Sequence, residues 1–406
     1  MKVSHMSLRN SLRLGSFSRP FIKPCCSPVW CRRSYSASNE PPIDFEAIKA
    51  EMLGRPPQLT WTIVSPTNST LLSIALADFL PKSCHARTYQ LGATSVEKVN
   101  GRSSLPPGHH FVYFPLQKTA SQLGADGTDP FHSPGGPFVR RMWASGSLEY
   151  TGDFRLDFVP ALCSEHIEAV TVKGSEGQEK IFVDVVREYK KKSLYKGPGG
   201  TKSMPLSRMI LERRTLVFMR GLSPEQVREN LAKAERDRAR VVQAPNAPDF
   251  SITVTPTPGL LFQYSALTYN SHLIHYDTRF CREVEGYPNL LVHGPLLVTL
   301  MLSVVGREMT AEHEKLRSFD YRNLAPLFVT EPMRVCVRLA STEQDPNSEI
   351  RTWETWIEGG NGSLCVRGTA VSVRLRVSRR DELYRSKRPK IGIFPNDLNP
   401  GATENY

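Results

Sequence analysis

The chain has 406 residues, of which 40% are apolar, 9% aromatic and 23% charged, with a formal net charge of +12. Those fractions exclude a disordered chain, and the length leaves room for two ordinary domains. No window reaches the roughly 18 uninterrupted apolar residues that a spanning helix needs, so no stable membrane insertion is expected. The charge excess does not point to a nucleic-acid partner either. Before Glu40 there is no acidic residue, whereas Lys2, Arg9, Arg13, Arg19, Lys23, Arg32 and Arg33 are basic; removing these seven from +12 leaves +5 for the rest. No basic patch interleaved with aromatics stands out in that remainder.

Residues 1–40 are Arg- and Ser-rich, free of acids until Glu40, and lack the continuous apolar core of a secretory signal. That is the profile of a mitochondrial transit peptide, and the mitochondrial matrix is the expected location. A merely basic, unstructured N-terminus is the alternative. After removal of the leader, Cys84, Cys163, Cys281, Cys336 and Cys365 remain, an odd number without CxxC spacing, which argues against a disulfide framework or a zinc site. "NST" at Asn68 matches a glycosylation sequon but carries no meaning in that compartment.

Two sets of elements come next, at 41–222 and 251–378. In the first, "STLLSIALADFL" has the helical spacing of Leu71, Leu72, Ile74, Ala75 and Phe79. "HFVYFPL", "VRRMWASGSLEY", "HIEAVTVK", "KIFVDVVREY" and "MILERRTLVFM" then read as strands, with "GADGTDPFHSPGGPF" a loop by its Gly and Pro content. Residues 223–250 form a connector and linker. Ser223, Pro224 and Gln226 open a largely charged helix with a capping box, and Pro245 and Pro248 break the chain beyond it. The second set has an apolar run over 295–305, which spells a buried helix. Strands are expected at "KLRSFDYRNL", "RVCVRLA", "EIRTWETWIEG" and "LCVRGTAVSVRLRV". The pattern implies an α+β fold with antiparallel sheet wrapped around one long central helix per half. Residues 379–406 lose the patterning and read as a basic, flexible tail. Its Arg379, Arg380, Arg385 and Lys387 are either a solvated face or a grip on phosphate or an acidic carrier protein.

The chemistry concentrates in "YSALTYNSHLIHYD" and "VHGPLLVTLMLSVVG". His275 is suited to acid and base work near neutral pH, and the Asn270 carboxamide can hold a water or a hydroxyl through both donor and acceptor. Gly294 and Pro295 open the apolar helix, where free backbone N–H groups and the positive end of the helix dipole meet. Glycine permits close approach, so the Gly294 N–H is placed to stabilise an enolate-like oxygen on a thioester carbonyl. His272 is a second titrating candidate. His293 and Tyr269 are expected beside the substrate, His293 also orienting the loop before the helix. Arg279 and Arg282 are close enough in the chain to meet pantetheine or nucleotide phosphates. The histidines lack a carboxylate or Cys partner set at ligand spacing, so neither a metal nor another cofactor is expected.

These segments resemble the signature of MaoC-type, hydratase-2 double-hotdog enzymes, in which Asp-x-Asn-Pro-(Ile/Leu)-His precedes a His-Gly at a helix start. "RRMWASGSLEY" is similar to the matching stretch of the same two-domain proteins. With the leader, the likeness is to the fungal mitochondrial type 2 hydroxyacyl-thioester dehydratases, over about residues 45–378. The resemblance implies reversible dehydration of (3R)-3-hydroxyacyl thioesters carried by acyl carrier protein or CoA. It puts the family's catalytic His on His275, its Asp on Asn270, its intervening Asn on His272 and its oxyanion Gly on Gly294. Two of these four positions depart from the pattern, and an Asn cannot share the proton work of an Asp. The first half lacks any such motif and is expected to be non-catalytic, shaping the acyl tunnel. A CoA-specific hydratase of a degradative pathway and a non-catalytic thioester-binding protein are the alternatives, and a homodimer is left open.

Overall fold

The computed structural model describes residues 42–86, 103–197, 200–237, 241–311, 314–340 and 349–374. The leader and the basic tail expected from the sequence lie outside the described residues. The described residues from Phe45 to Arg374 fall into one compact unit.

In the first half, helix α1 (Phe45–Leu53), strand β1 (Gln58–Ile63) and helix α2 (Pro66–Leu76) precede strands β2 (Arg140–Tyr150), β3 (Pro160–Lys173), β4 (Lys180–Gly197) and β5 (Gly200–Met219). Helix α3 (Pro224–Asp237) connects the halves. It opens with the expected capping box: the Ser223 N–H donates to Gln226 Oε1 at 2.8 Å and the Gln226 N–H to Ser223 Oγ at 3.3 Å. The second half runs through β6 (Phe250–Val254), α4 (Pro258–Thr268), the single turn α5 (Thr278–Phe280), α6 (Gly294–Ala311), β7 (Glu314–Asn323), β8 (Met333–Leu339), β9 (Ile350–Glu358) and β10 (Leu364–Arg374).

The strands form a ten-stranded sheet in the order β1-β3-β4-β5-β2-β7-β10-β9-β8-β6, antiparallel throughout. Read inward from either edge, each half has its first, third, fourth, fifth and second strands in that sequence. The doubling is therefore complete in strand order although no shared sequence period exists. The halves join where β2 pairs with β7, from Ser145 opposite Arg322 to Glu149 opposite Ser318. Trp143 reinforces the seam: its indole N–H donates to the Tyr321 hydroxyl at 2.8 Å, and its carbonyl accepts from Asn323 Nδ2 at 2.7 Å.

The helices are not doubled in the same way. α6 packs on β7, β8, β9 and β10. It is apolar nearly all round, with Leu296, Leu297, Val298, Leu300, Met301, Leu302, Val304 and Val305 buried. At about 1.5–3 kcal/mol for each such side chain, this burial dominates the second half's core. Thr299 and Ser303 are tolerated because their hydroxyls donate one turn back, to the carbonyls of Pro295 at 2.9 Å and Thr299 at 2.8 Å. α2 instead packs against α4 and the 3-10 turn His109–Val112. It stands eight residues after the start of β1, as α4 does after β6, so α4 is its structural counterpart. Among the described residues the first half has no helix of α6's length.

One expected strand is corrected. "HFVYFPL" is not extended: His109–Val112 form a 3-10 turn and all four residues are buried. Gly108 enters it at φ +84°, and its Cα is so close to α6 that a Cβ would meet the Thr299 Cα at 3.2 Å. Tertiary contact with α6 overrides the local β preference of this aromatic run.

Candidate active site

The site loop begins at the end of α4. Thr257 caps that helix, accepting the Leu260 N–H at 3.1 Å, with Pro258 in the first turn. Tyr269 ends it in the left-handed region at φ +53°, an uncommon conformation for a non-glycine residue. That reversal lets the Asn270 N–H donate to the Ser265 carbonyl at 2.9 Å. The Asn270 Oδ1 then accepts the His272 N–H at 3.1 Å, an Asx turn that bends the chain into the 3-10 turn Leu273–His275. Asn270 thus shapes the loop with its oxygen, while its Nδ2 group donates to no described residue.

His275 is buried, and its Nδ1–H donates to the Leu291 carbonyl at 2.8 Å. The bond fixes the tautomer and leaves Nε2 as a free lone pair. Burial pushes the imidazole down to about 4, although the Leu291 bond opposes the shift, so His275 is a neutral base at physiological pH. Leu291 also donates its own N–H to the Ile274 carbonyl at 2.9 Å, which ties the loop to the segment leading into α6. Gly294 starts that helix, and its N–H has no hydrogen-bond partner among the described residues, as expected of a first-turn donor. Trp143 borders it: a Cβ at 294 would stand 3.5 Å from that side chain, an ordinary contact.

Asn270, His272, His275, Gly294 and Tyr269 line one cavity of about 480 Å³. The other expected substrate contacts do not. His293 is 0% exposed and lies behind His275, ring on ring at 3.6 Å, with its Nε2 bonded to the Ser265 hydroxyl at 2.8 Å. It therefore braces the His275 ring from behind and, contrary to expectation, does not line the cavity. Arg279 and Arg282 are outside the wall. Arg279 is 76% exposed and paired with Glu283 at 2.9 Å, and Arg282 donates to the Pro288 carbonyl at 3.0 Å.

Much of the wall comes from the first half, where no sequence motif marks it. Phe111, Phe114, Met142, Trp143, Leu216 and Val217 give it an apolar lining. Beside them lie His132, Glu165, Arg187 and Arg214. Glu165, Arg187 and Glu212 are adjacent in register across β3, β4 and β5. Glu165 accepts from His132 Nε2 at 2.7 Å and meets Arg187 Nε at 2.5 Å; burial alone would raise its carboxyl, but Arg187 and His132 outweigh that and hold it well below the usual range. Asp129, His132 and Glu165 have the spacing of a metal site. Their carboxylates are already engaged, Asp129 by Lys118 at 2.9 Å and by the Phe131 N–H at 2.9 Å, Glu165 by Arg187 and His132. The sequence offers one signal for this wall, the apolar-alternating strands interrupted by Glu and Arg at inward positions.

A neutral imidazole and a free helix-start N–H facing one cavity beneath an antiparallel hotdog sheet are the parts of a hydro-lyase acting next to a thioester carbonyl. The fold agrees: a MaoC-like dehydratase from Phytophthora capsici superposes with a TM-score of 0.51 at 11% identity, over 80% of this chain and 99% of that one. Residues 108–329 match the family of hydroxyacyl-thioester dehydratases type 2, and the chain belongs to that family. It is 31% identical over 272 residues to the mitochondrial hydroxyacyl-thioester dehydratase type 2 of Schizosaccharomyces pombe, covering 66% of this chain and 85% of that protein. It is also 31% identical over 242 residues to the mesaconyl-C(4)-CoA hydratase of Chloroflexus aurantiacus, covering 58% and 75%.

Proposed function

We propose that the protein is a dehydratase that removes water reversibly from (3R)-3-hydroxyacyl thioesters, giving trans-2-enoyl thioesters, in mitochondrial type II fatty acid synthesis. Residues 251–378 carry the acid/base chemistry, and residues 41–222 build the opposite wall of the cavity. The observation that carries the reading is that the free Nε2 of His275 and the unpartnered N–H of Gly294 belong to the same cavity.

In the dehydration direction His275 Nε2 takes a proton from C2 of the substrate. The electron pair moves toward the thioester carbonyl, whose oxygen the Gly294 N–H and the α6 dipole stabilise. The resulting imidazolium returns the proton to the 3-hydroxyl as the C3–O bond breaks, the C2=C3 double bond forms and water leaves. Asn270 Nδ2 is free to hold that hydroxyl in line. A positioned acid/base contributes about 10²–10⁴ in rate and an oxyanion donor about 10²–10³. Lowering His275 to about 4 by burial keeps it in the base form throughout the physiological range.

The mitochondrial location accords with the names of the Schizosaccharomyces relative and of its Saccharomyces cerevisiae counterpart, and the matrix with the basic leader. Acyl carrier protein is the proposed carrier. A second reading, a CoA-specific hydratase for a polar acyl group, is favoured by Arg187, Arg214 and His132 on the wall and by the Chloroflexus relative. Rates of water loss from (3R)-3-hydroxyacyl groups of several lengths, offered on acyl carrier protein and on CoA, separate the two. Preference for carrier-bound alkyl chains supports the first, and preference for CoA-bound acyl groups with a second carboxylate supports the other.

A further inference from the structure

The site loop lacks a carboxylate at 270, yet one approaches it from the other half of the molecule. The turn Gly124–Asp129, some 145 residues earlier in the chain, docks directly on residues 271–273. The Asp126 carbonyl accepts the Leu273 N–H at 2.9 Å, and the Gly127 carbonyl accepts the Ser271 hydroxyl at 2.6 Å. Gly127 sits at φ +80°, so close that a Cβ there would stand 2.0 Å from the Ser271 carbonyl oxygen. The docking brings Asp126 Oδ2 to 3.5 Å from His272 Nε2. His272 lines the cavity and its Nδ1 makes no hydrogen bond with any described residue.

We propose that Asp126 is a positioning residue for the reaction: its carboxylate holds His272 with Nε2 protonated and the Nδ1 lone pair turned to the cavity as an acceptor for the substrate hydroxyl, supplying from the first half the carboxylate that position 270 lacks. The proposal rests on the dehydratase reading of this site. It gives the site a second imidazole whose ring is oriented by a carboxylate while His275 is oriented by a backbone carbonyl. Such outer partners set both tautomer and basicity of the ring they hold. The charged and titratable groups facing His272 are Asp126 and Arg141 from the first half and His275 and His293 from the second, and Arg141 Nε also lies 3.8 Å from the same Asp126 Oδ2. Burial, His275 and Arg141 all work against a proton on His272, and it titrates well below the ordinary range. Asp126 is the one anion among these four, so it is the group that fixes which ring nitrogen of the neutral His272 carries the proton. The geometry also distinguishes this role from simple turn formation. The turn is held by the other carboxylate oxygen, Oδ1, which accepts from the Thr128 N–H at 3.1 Å and the Thr128 hydroxyl at 2.5 Å. Asn at 126 preserves that oxygen and replaces Oδ2, removing the charge and the acceptor that faces His272 together.

The test uses the full chain with crotonyl-CoA hydration as readout, comparing wild type, Asp126→Asn, His272→Gln and the double variant. Asp126→Asn is expected to lower kcat about ten-fold with KM within about two-fold, and the double variant to be no slower than His272→Gln alone, the signature of two residues acting as one unit. Wild-type kcat in Asp126→Asn, or additive losses in the double variant, overturns the proposal. Nitrogen-15 NMR of the histidines reads the same pairing without turnover: His272 is expected as the Nε2-protonated tautomer in wild type and to lose that preference in Asp126→Asn. A tautomer unchanged by the substitution overturns the pairing, whereas a wild type inert toward every hydroxyacyl and enoyl thioester sinks the dehydratase reading and leaves the NMR result to decide the role of Asp126.

Discussion

The two halves of the sheet share a strand order and differ in what fills the concave face. In the second half the 18-residue α6 covers it with aliphatic side chains. In the first half the corresponding face carries Glu165, Arg187, Glu212 and Arg214, and part of it borders the cavity instead of a helix. Topology therefore does not dictate the chemistry of the interior. In the proposed reaction the buried helix start offers an N–H to the substrate oxygen, and the uncovered sheet face offers space for the rest of the substrate. The exchange has an energetic side. Buried ion pairs contribute little net stability, while loss of one partner typically costs about 3–5 kcal/mol. The first half is accordingly the more vulnerable to single charge removals.

That contrast can be sharpened by substitution. Gly294→Pro removes the oxyanion donor while suiting the first helical position, and kcat for enoyl-CoA hydration is expected to fall about 10²–10³-fold with an intact circular-dichroism spectrum. Gly127→Ala strikes the contact between the halves. Forcing a Cβ at φ +80° costs about 1–3 kcal/mol from backbone strain alone, and the clash with Ser271 adds to it, so both the urea midpoint and the activity should drop. The buried histidines set the acid limit of stability. His110 and His275 are lowered to about 4, by burial above all, and His272 and His293 well below their ordinary value, so the folded state binds fewer protons than the unfolded chain. Their contribution is fully present above about pH 6.5 and is lost as pH falls toward 4, with a slope of up to about 1.4 kcal/mol per pH unit for each imidazole. Thermal melts between pH 7 and 5 should show a falling Tm. The smallest effect belongs to Arg279→Ala: exposed and paired with Glu283 alone, it should change KM for crotonyl-CoA by less than about two-fold.

α6 is legible in the sequence because an apolar run long enough for a helix has one physical solution, burial on all sides. The long strands β2 to β5 and β7 to β10 are legible from alternation, and the capping box at Ser223 from residue identity. β1 and β6 escape because they are short edge strands, and α4 because Pro258 and Gly259 disguise its first turn. The 3-10 turn at His109–Val112 contradicts its own local pattern because its conformation is imposed by α6, almost two hundred residues away. The site divides along the same line. His275, Asn270 and Gly294 announce themselves through local spacing, whereas His132 and Glu165 reach the cavity, and Asp126 reaches His272, through contacts that no local pattern records. The Gly-rich stretch at 124–138 reads as a loop and is one, but composition carries no sign of where a loop docks.

The most direct measurement is the rate of crotonyl-CoA hydration by full-length His275→Ala, with folding checked by near-ultraviolet circular dichroism. A folded protein with kcat reduced at least about 10²-fold and crotonyl-CoA binding retained is the predicted result. A folded variant that hydrates crotonyl-CoA at the wild-type rate would contradict the account, because His275 is the imidazole to which the proposed mechanism assigns both removal and return of the C2 proton.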